Sequence, residues 1–357
     1  MALHFHKLTV KDIRKETRDC VSISFNIPGE SARDFVFTQG QNITLRRMVN
    51  GEEIRRSYSI CSSPLENELR VAVKKVTDGL FSSYANEVLR QGDEMEVLAP
   101  SGSFYTQLNE DQRKNYIFFA AGSGITPVIS IIKAILAIEK ESTVTLIYGN
   151  KNSSSIIFKD QLSDLKDKHL QRFSIYNVLS REVTDAAINH GRIDEEKCRQ
   201  FSTIADFASM DEFFICGPEQ MIFTIKEFLE KNNIAKEKIH FELFTTPFRK
   251  KIEKTISKKG PTDEGSDITV KADGRSFDFK LDYESNVILD AALAQGLDLP
   301  FACKGGVCCT CKAKLIEGEV EMETNYGLEP DEVKAGFILT CQSHPLTKRV
   351  VVDFDIK

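Results

Sequence analysis

Over roughly residues 3–104, apolar and polar residues alternate in short runs: Leu8-Thr9-Val10, Val21-Ser22-Ile23-Ser24-Phe25, Asn42-Ile43-Thr44-Leu45 and Leu69-Arg70-Val71-Ala72-Val73. A period of two sends alternate side chains to one face, and Gly, Pro, Asn or Asp separate the runs. This part of the chain predicts a small antiparallel barrel. The pattern changes over 115–244. Compact apolar runs at 117–120, 144–148 and 212–216 alternate with helix-like stretches, which predicts βαβ units around a parallel sheet. Residues 246–266 are rich in Lys, Gly, Pro, Ser and Asp and read as an exposed tether, although Arg249-Lys250-Lys251 could instead touch a partner. Beyond them lie strand-like runs (268–271, 276–279), a helix-like segment (287–296) and a cluster of cysteines.

One apolar stretch, 116–138, has the length of a membrane span. Gly122-Ser123-Gly124-Ile125-Thr126-Pro127 interrupts it and Lys133 follows, so a buried strand, a tight turn and a helix describe it better. The formal net charge of −6 gives no reason to expect nucleic acid or an anionic membrane as partner. From Asp267 onward, sixteen Asp/Glu face ten Lys/Arg, so the acidity sits in the last third. That suits docking onto a basic patch as well as it suits plain solubility. Five of the nine cysteines (Cys303, Cys308, Cys309, Cys311, Cys341) share this third, while Cys20, Cys61, Cys198 and Cys216 are scattered. Clustered thiols behind an N-terminus without a signal pattern point to a metal or redox site in the cytoplasm rather than to disulfides.

The most specific motif is Cys303-Lys-Gly-Gly-Val-Cys308-Cys-Thr-Cys311 with a distant Cys341. Its spacing, C-x4-C-x2-C…C, is that of a plant-type [2Fe–2S] cluster. Three thiolates on one loop wrap the cluster and the fourth closes it, while Gly305 and Gly306 let backbone N–H groups reach the sulfurs. Cys309 is then a spare, packed neighbour. A structural zinc site is the alternative, although zinc loops usually pair C-x2-C modules.

Four further motifs are weaker singly than in sequence. Arg56-Ser57-Tyr58-Ser59 offers a cation for phosphate, a ring for stacking and hydroxyls for a ring edge; Gly79-Leu80-Phe81-Ser82 offers a turn for pyrophosphate. Gly122, Gly124 and Thr126, between an apolar strand and a helix, suit a dinucleotide pyrophosphate, with Pro127 expected at the first helical position. Ser180-Arg181, and Arg192 after Gly191, suit a ribose 2′-phosphate and favour NADPH over NADH. Cys216-Gly217-Pro218 ends another buried strand, where a thiol could stand beside the nicotinamide.

Taken together, these residues resemble the ferredoxin–NADP⁺ reductase superfamily fused to a plant-type ferredoxin. Within it, Pro300-Phe301-Ala302-Cys303-Lys304-Gly305-Gly306-Val307-Cys308, Glu317-Gly318-Glu319-Val320-Glu321-Met322 and Leu339-Thr340-Cys341-Gln342 look like the reductase subunits of ring-1,2-phenylacetyl-CoA epoxidases. The resemblance implies a multidomain α/β plus β chain. An antiparallel FAD-binding β-barrel would occupy 1–108, a parallel α/β NAD(P)-binding domain 109–245, a linker 246–266 and a β-grasp [2Fe–2S] ferredoxin domain 267–357. It further implies FAD on Arg56, Tyr58, Ser59, Val73, Gly79, Leu80, Phe81 and Ser82, and NADPH on Gly122, Gly124, Thr126, Ser180, Arg181, Cys216 and Gly217. Ser59, Cys216 and Glu242 would be catalytic, with Phe244 near the flavin, and Cys303, Cys308, Cys311 and Cys341 would be the metal ligands. Two departures stand out: Asp78-Gly79 replaces a common pair of glycines and Leu80 a common arginine, which leaves FMN open.

The implied function is electron transfer from NADPH through flavin and cluster to an oxygenase, in first place a multisubunit di-iron phenylacetyl-CoA epoxidase. A ring-hydroxylating dioxygenase or a steroid hydroxylase would fit the same motifs. A redox sensor that transfers no electrons is the rival from another class.

Overall fold

The computed structural model describes residues 4–49, 51–244, 265–283 and 285–356. The segment read as a tether lies outside them except at its end, where Ser266 is already buried in a strand.

The N-terminal sheet comprises β1 (His6–Thr17), β2 (Cys20–Asn26), β3 (Asn42–Val49), β4 (Glu52–Ser59), β5 (Leu69–Lys74) and β6 (Glu94–Val97), with helix α1 (Leu80–Glu87) between the last two. All pairings are antiparallel, in the order β4-β3-β6-β1-β2-β5. The sheet curls until Ile60, just past β4, bridges Val71 of β5, as in a barrel. Its interior is filled by the apolar residues of the alternating runs, among them Leu8, Ile23, Ile43, Leu45, Val71 and Val73.

The second unit is a parallel sheet, β11-β10-β7-β8-β9, built from β7 (Asn115–Ala121), β8 (Thr143–Asn150), β9 (Phe173–Leu179), β10 (Glu212–Cys216) and β11 (Ile239–Glu242). Its helices are α2 (Ile125–Ile138), α3 (Lys159–Lys168), α4 (Glu195–Ser202) and α5 (Glu219–Lys231). Helix α2 is apolar nearly all round because it is covered on both sides. One face packs on the sheet, and the other meets Cys61, Ala72 and Phe104 of the barrel in one continuous core. Ser130 Oγ donates to Ser62 O at 2.7 Å across this joint, and Lys133 reaches Glu66 at its rim. The membrane-like stretch is thus a strand and helix buried between two units. Among the described residues no helix is long and apolar enough to cross a membrane.

The C-terminal unit joins β12 (Ser266–Ala272), β13 (Arg275–Leu281), β14 (Lys312–Glu317), β16 (Phe337–Leu339) and β18 (Arg349–Asp353) in the order β13-β12-β18-β14-β16, and β15 (Val320–Met322) pairs with β17 (Ser343–Pro345). Helices α6 (Ile288–Ala294) and α7 (Pro330–Lys334) complete it. The β12–β18 pair is parallel, whereas the other pairs are antiparallel. A mixed sheet carrying one main helix is the grasp-like arrangement, and Ile288, Leu289 and Ala292 of α6 pack into its core.

At one end of the parallel sheet Glu212 accepts hydrogen bonds from His240 (2.9 Å), Lys114 and Thr106. Burial pushes this carboxyl up, but the His240 and Lys114 hydrogen bonds outweigh it and hold the group at about 2. A depressed folded-state carboxyl stabilises above its unfolded value and loses that contribution as pH falls toward the folded one. Acid unfolding should therefore remove roughly 2 kcal/mol between about pH 5 and 2 that Glu212→Gln lacks at every pH. Urea titrations of both proteins across that range measure the difference; parallel pH profiles would refute the assignment.

Candidate functional site

Ile54, Arg56 and Tyr58 share one face of strand β4. Ile54 is buried in the barrel core, Arg56 further along is exposed, and the half-buried Tyr58 sets its ring 5.6 Å from that of Phe81. At the strand's end Ser59 Oγ donates to Glu242 Oε2 at 3.0 Å. Glu242 comes from β11, where it lies in register with Cys216 of β10. Burial, opposed by the Ser59 hydrogen bond and reinforced by the nearby Cys308, raises this carboxyl to about 8, so it holds its proton at neutral pH. Arg56, Ser57, Ser59, Glu242 and Phe244 line a cavity of about 320 Å³ whose remaining wall includes Cys303 and Cys308. Asn42 Oδ1 is buried on that wall with no partner. An unfilled buried acceptor beside two hydroxyls and an arginine fits the polar edge and phosphate of a flavin nucleotide.

The Gly79 turn opens a second cavity of about 580 Å³, walled by Met48, Asp78, Gly79, Leu80 and Tyr84. Asp78 has φ 58°, in the left-handed region. Aspartate tolerates this conformation better than most residues, which explains why Asp78 can stand in the turn ahead of Gly79. A Cβ on Gly79 would lie 2.4 Å from Ser82 Oγ, so the turn closes tightly. Three expected contacts are not side-chain contacts in this fold. Phe81 and Val73 point into the barrel core, and Ser82 Oγ is spent on the turn, donating to Gly79 O and accepting from Val76 N. Gly79 N–H is taken by Val76 O at 3.2 Å, so the backbone donors the turn can offer are those at the start of α1, with the exposed Leu80 side chain on the cavity wall.

Gly122 has φ 54° and Tyr148 donates its hydroxyl to Gly122 O at 2.9 Å. A Cβ on Gly124 would meet Cys216 O at 2.1 Å. Gly124 is therefore dictated by close packing against the end of β10, and Gly122 by its left-handed backbone. Thr126 Oγ1 donates to Ser123 O at 3.0 Å, and Pro127 is the third residue of α2 rather than the first. It still falls within the first turn, where a missing N–H costs nothing. Gly217 packs against Ala121, and the Cys216 side chain is fully buried, with its thiol pushed well up by burial and by Glu242. Ile125 N–H is spent on Gly122 O and Ser123 O and Pro127 has none, so the backbone that fits a pyrophosphate is the Gly122–Gly124 turn leading into α2. Ser180 and Arg181 follow β9, each donating its N–H to the β8 end, while the Arg181 and Arg192 side chains stay exposed. The neighbouring Glu182 is engaged by the Ser153 N–H and hydroxyl at 2.7 and 3.0 Å.

The cysteine loop brings four thiols side by side. Cys308 hydrogen-bonds with Cys303, and Cys341 with both Cys303 and Cys311. They adjoin in a chain, and among the described residues no group of three or more His, Cys, Asp or Glu closes round the point of a single metal ion. Gly305 N–H donates to Cys303 Sγ at 3.3 Å, Gly306 N–H to the Cys341 sulfur, and Gln342 Nε2 approaches Cys341 Sγ at 3.6 Å. Donors aimed at sulfur fit a cluster that carries negative charge. The hydrogen bond with Cys303, with burial second, raises the Cys308 thiol, so cluster assembly must displace protons. Cys309 turns away, left-handed at φ 54°, and donates to Gly327 O.

None of the sequence motifs pointed to what joins this loop to the flavin side. Arg55 is buried under the C-terminal unit, donating to Leu299 O at 2.9 Å and Asp298 at 2.8 Å, with Phe301 over its guanidinium at 4.2 Å. Thr310 Oγ1 lies 3.3 Å from Thr44 Oγ1 and 3.5 Å from Ser57 Oγ. Val307 joins the apolar core of the α/β unit, and Tyr326 packs on Phe223. These partners are more than a hundred residues apart and of ordinary type, so no local signal marks them.

Three family models match the chain: an oxidoreductase FAD-binding domain over 7–105, an oxidoreductase NAD-binding domain over 118–227 and a 2Fe-2S iron-sulfur cluster binding domain over 270–346. The chain is 46% identical over 354 residues to a component of the 1,2-phenylacetyl-CoA epoxidase from Escherichia coli K12, covering 99% of this chain and 98% of that one. It is 32% identical to the ferredoxin reductase component of 3-ketosteroid-9-alpha-monooxygenase from Rhodococcus rhodochrous, covering 97% and 96%. Phthalate dioxygenase reductase shares the fold over 98% of both chains, with a TM-score of 0.58 and 24% identity. The chain belongs to the ferredoxin–NADP⁺ reductase superfamily, as a reductase with FAD-binding, NAD-binding and [2Fe–2S] domains whose relatives are reductase components of oxygenases.

Proposed function

We propose that this reductase draws electrons from NADPH and delivers them to the multisubunit di-iron phenylacetyl-CoA epoxidase, in the cytoplasm. The choice of partner rests on the 46% identity to the E. coli epoxidase component along nearly all of both chains, against 32% to the steroid-oxygenase relative. The electron path rests on one observation: Arg56 and Ser59 of the barrel share a cavity with Cys308 of the ferredoxin domain. All nine cysteines are free thiols, which suits a reducing compartment.

When bound, FAD takes up the two electrons of a hydride and a [2Fe–2S] cluster carries electrons singly. In this reading Arg56 and the N–H groups after Gly79 hold the flavin phosphates, Tyr58 packs on the ring, and the Ser59–Glu242 pair keeps a proton at its edge. Gly122, Gly124, Thr126 and the start of α2 hold the dinucleotide, with Cys216 and Gly217 forming the floor beneath. Ser180 and Arg181 take the 2′-phosphate; the neighbouring Glu182 is held by the Ser153 N–H and hydroxyl through one of its oxygens. Cys303, Cys308, Cys311 and Cys341 hold the cluster.

NADPH-dependent epoxidation of phenylacetyl-CoA, with an oxygenase complex lacking its own reductase, tests the partner. Product should rise in proportion to this protein; no product alongside brisk ferricyanide reduction would discard the epoxidase. Cys311→Ala should lose the visible absorption of the cluster and cut oxygenase turnover by about a hundredfold or more, with NADPH–ferricyanide turnover within about twofold of the parent. Full turnover with the oxygenase would refute the serial path. Gly124→Ala, whose methyl group must push the turn off β10, should raise KM for NADPH about tenfold or more, and Gly29→Ala, in open space, should not.

A further inference from the structure

Thr44 of β3 stands opposite Ser57 of β4 in register, and the next pair on the same face is Arg46 with Arg55. This is the outer face of the barrel, where water ordinarily serves a hydroxyl. Here the ferredoxin domain covers it: Thr44 is 2% exposed and Thr310, in the cysteine loop above, 6%. Buried hydroxyls need partners, and these find one another. Thr44 Oγ1 lies 3.0 Å from Ser57 Oγ and 3.3 Å from Thr310 Oγ1, and Ser57 Oγ lies 3.5 Å from Thr310 Oγ1.

Each hydroxyl has one hydrogen to give and two lone pairs to accept with. Along the two shorter contacts Ser57 gives to Thr44 and Thr44 gives to Thr310, which leaves the Thr310 hydrogen to be placed. The Cys308 carbonyl, 3.5 Å from Thr310 Oγ1, is at the limit of a hydrogen bond. The Cys308 side chain is the other acceptor. Its hydrogen bond with Cys303, and then burial, push this thiol up, while a hydrogen bond from Thr310 pulls it down. Ser57 and Cys308 both line the flavin cavity, so the row of hydroxyls runs along the wall between flavin side and cluster side.

We infer that Thr310 tunes the [2Fe–2S] cluster toward its reduced state, and that Thr44 and Ser57 are positioning residues which, from another domain, turn its hydroxyl hydrogen onto the Cys308 sulfur. A donor aimed at a ligand sulfur favours reduction, because the added electron makes that sulfur a better acceptor. Aligned hydroxyls polarise one another, so the two barrel hydroxyls strengthen the last bond as well as aiming it. One electron arrives, no proton leaves any of the three oxygens, and no covalent bond is made or broken. This rests on the reading of Cys308 as a cluster ligand.

Spectropotentiometric titration of the holo protein and its variants tests it. Thr310→Val, which keeps the shape and loses the hydroxyl, should shift the one-electron equilibrium of the cluster about fivefold or more toward the oxidised form. Thr44→Val and Ser57→Ala, both outside the ferredoxin domain, should shift it the same way by about threefold. Thr310→Ser, which restores a hydroxyl, should stay within about twofold of the parent. Ser103→Ala removes a hydroxyl from the same domain contact, where it donates to Gly327 O, and should leave the equilibrium unmoved. Pulsed EPR of the reduced protein in heavy water gives a second readout: Thr310→Val should lack one coupled exchangeable deuteron that the parent shows. Equal potentials and equal deuteron couplings in the parent, Thr310→Val and Thr44→Val would overturn the inference. A shift in Ser103→Ala as large as that in Thr44→Val would overturn it too, because the domain contact as a whole would then set the potential. Cys308→Ala separates the two readings. If it keeps the parent's cluster spectrum, the ligand assignment fails and takes the inference with it; if it loses that spectrum while the hydroxyl variants match the parent, the inference fails alone.

Discussion

Arg55 is the point on which the arrangement turns. A guanidinium on β4, 6% exposed, gives up its hydration and recovers it from Glu53, Asp298, the Leu299 carbonyl and the face of Phe301. A solvent-open ion pair contributes about 0–1 kcal/mol and a cation–π contact about 0.5–2. Together with the hydrogen bond to Leu299 O, these contacts select one docking geometry. Because Arg55 precedes Arg56 on the same strand, the residue that seats the ferredoxin domain and the residue that faces the cavity are fixed together.

That coupling explains why one cavity is lined by three units. The barrel contributes Asn42 and Ser57, the α/β unit Glu242 and Phe244, and the ferredoxin domain Cys303 and Cys308. Helix α2 makes the first two nearly a single body through a shared apolar core, while the third is attached by polar contacts and a few side chains. Its position in this seam is also what raises the Glu242 carboxyl, burial being the first cause.

Periodicity made the elements legible. The alternating runs lie within β1, β2, β3 and β5, the apolar runs within β7, β8 and β10, and residues 287–296 contain α6. The cysteine spacing likewise foreshadowed four adjoining thiols, because a local loop fixes three of them. Direction and distance were not legible in the sequence. A motif names Phe81 and Val73 without saying that a barrel strand and a short helix turn both inward. The membrane-like run at 116–138 is apolar because two units enclose it, a fact that belongs to the assembly rather than the segment. Arg55 and Asp298 meet across 243 positions and carry no mark of it in composition or period.

The central claim is that this chain holds its own cluster cysteines against its own flavin cavity. Anaerobic rapid mixing of the holo protein with a fixed, saturating excess of NADPH, followed at the cluster absorption over a wide range of protein concentration, tests it most directly. Bleaching should be first order with a rate independent of protein concentration, as transfer within one docked chain requires. A rate that rises in proportion to protein concentration would mean that electrons pass between chains, and would contradict the account.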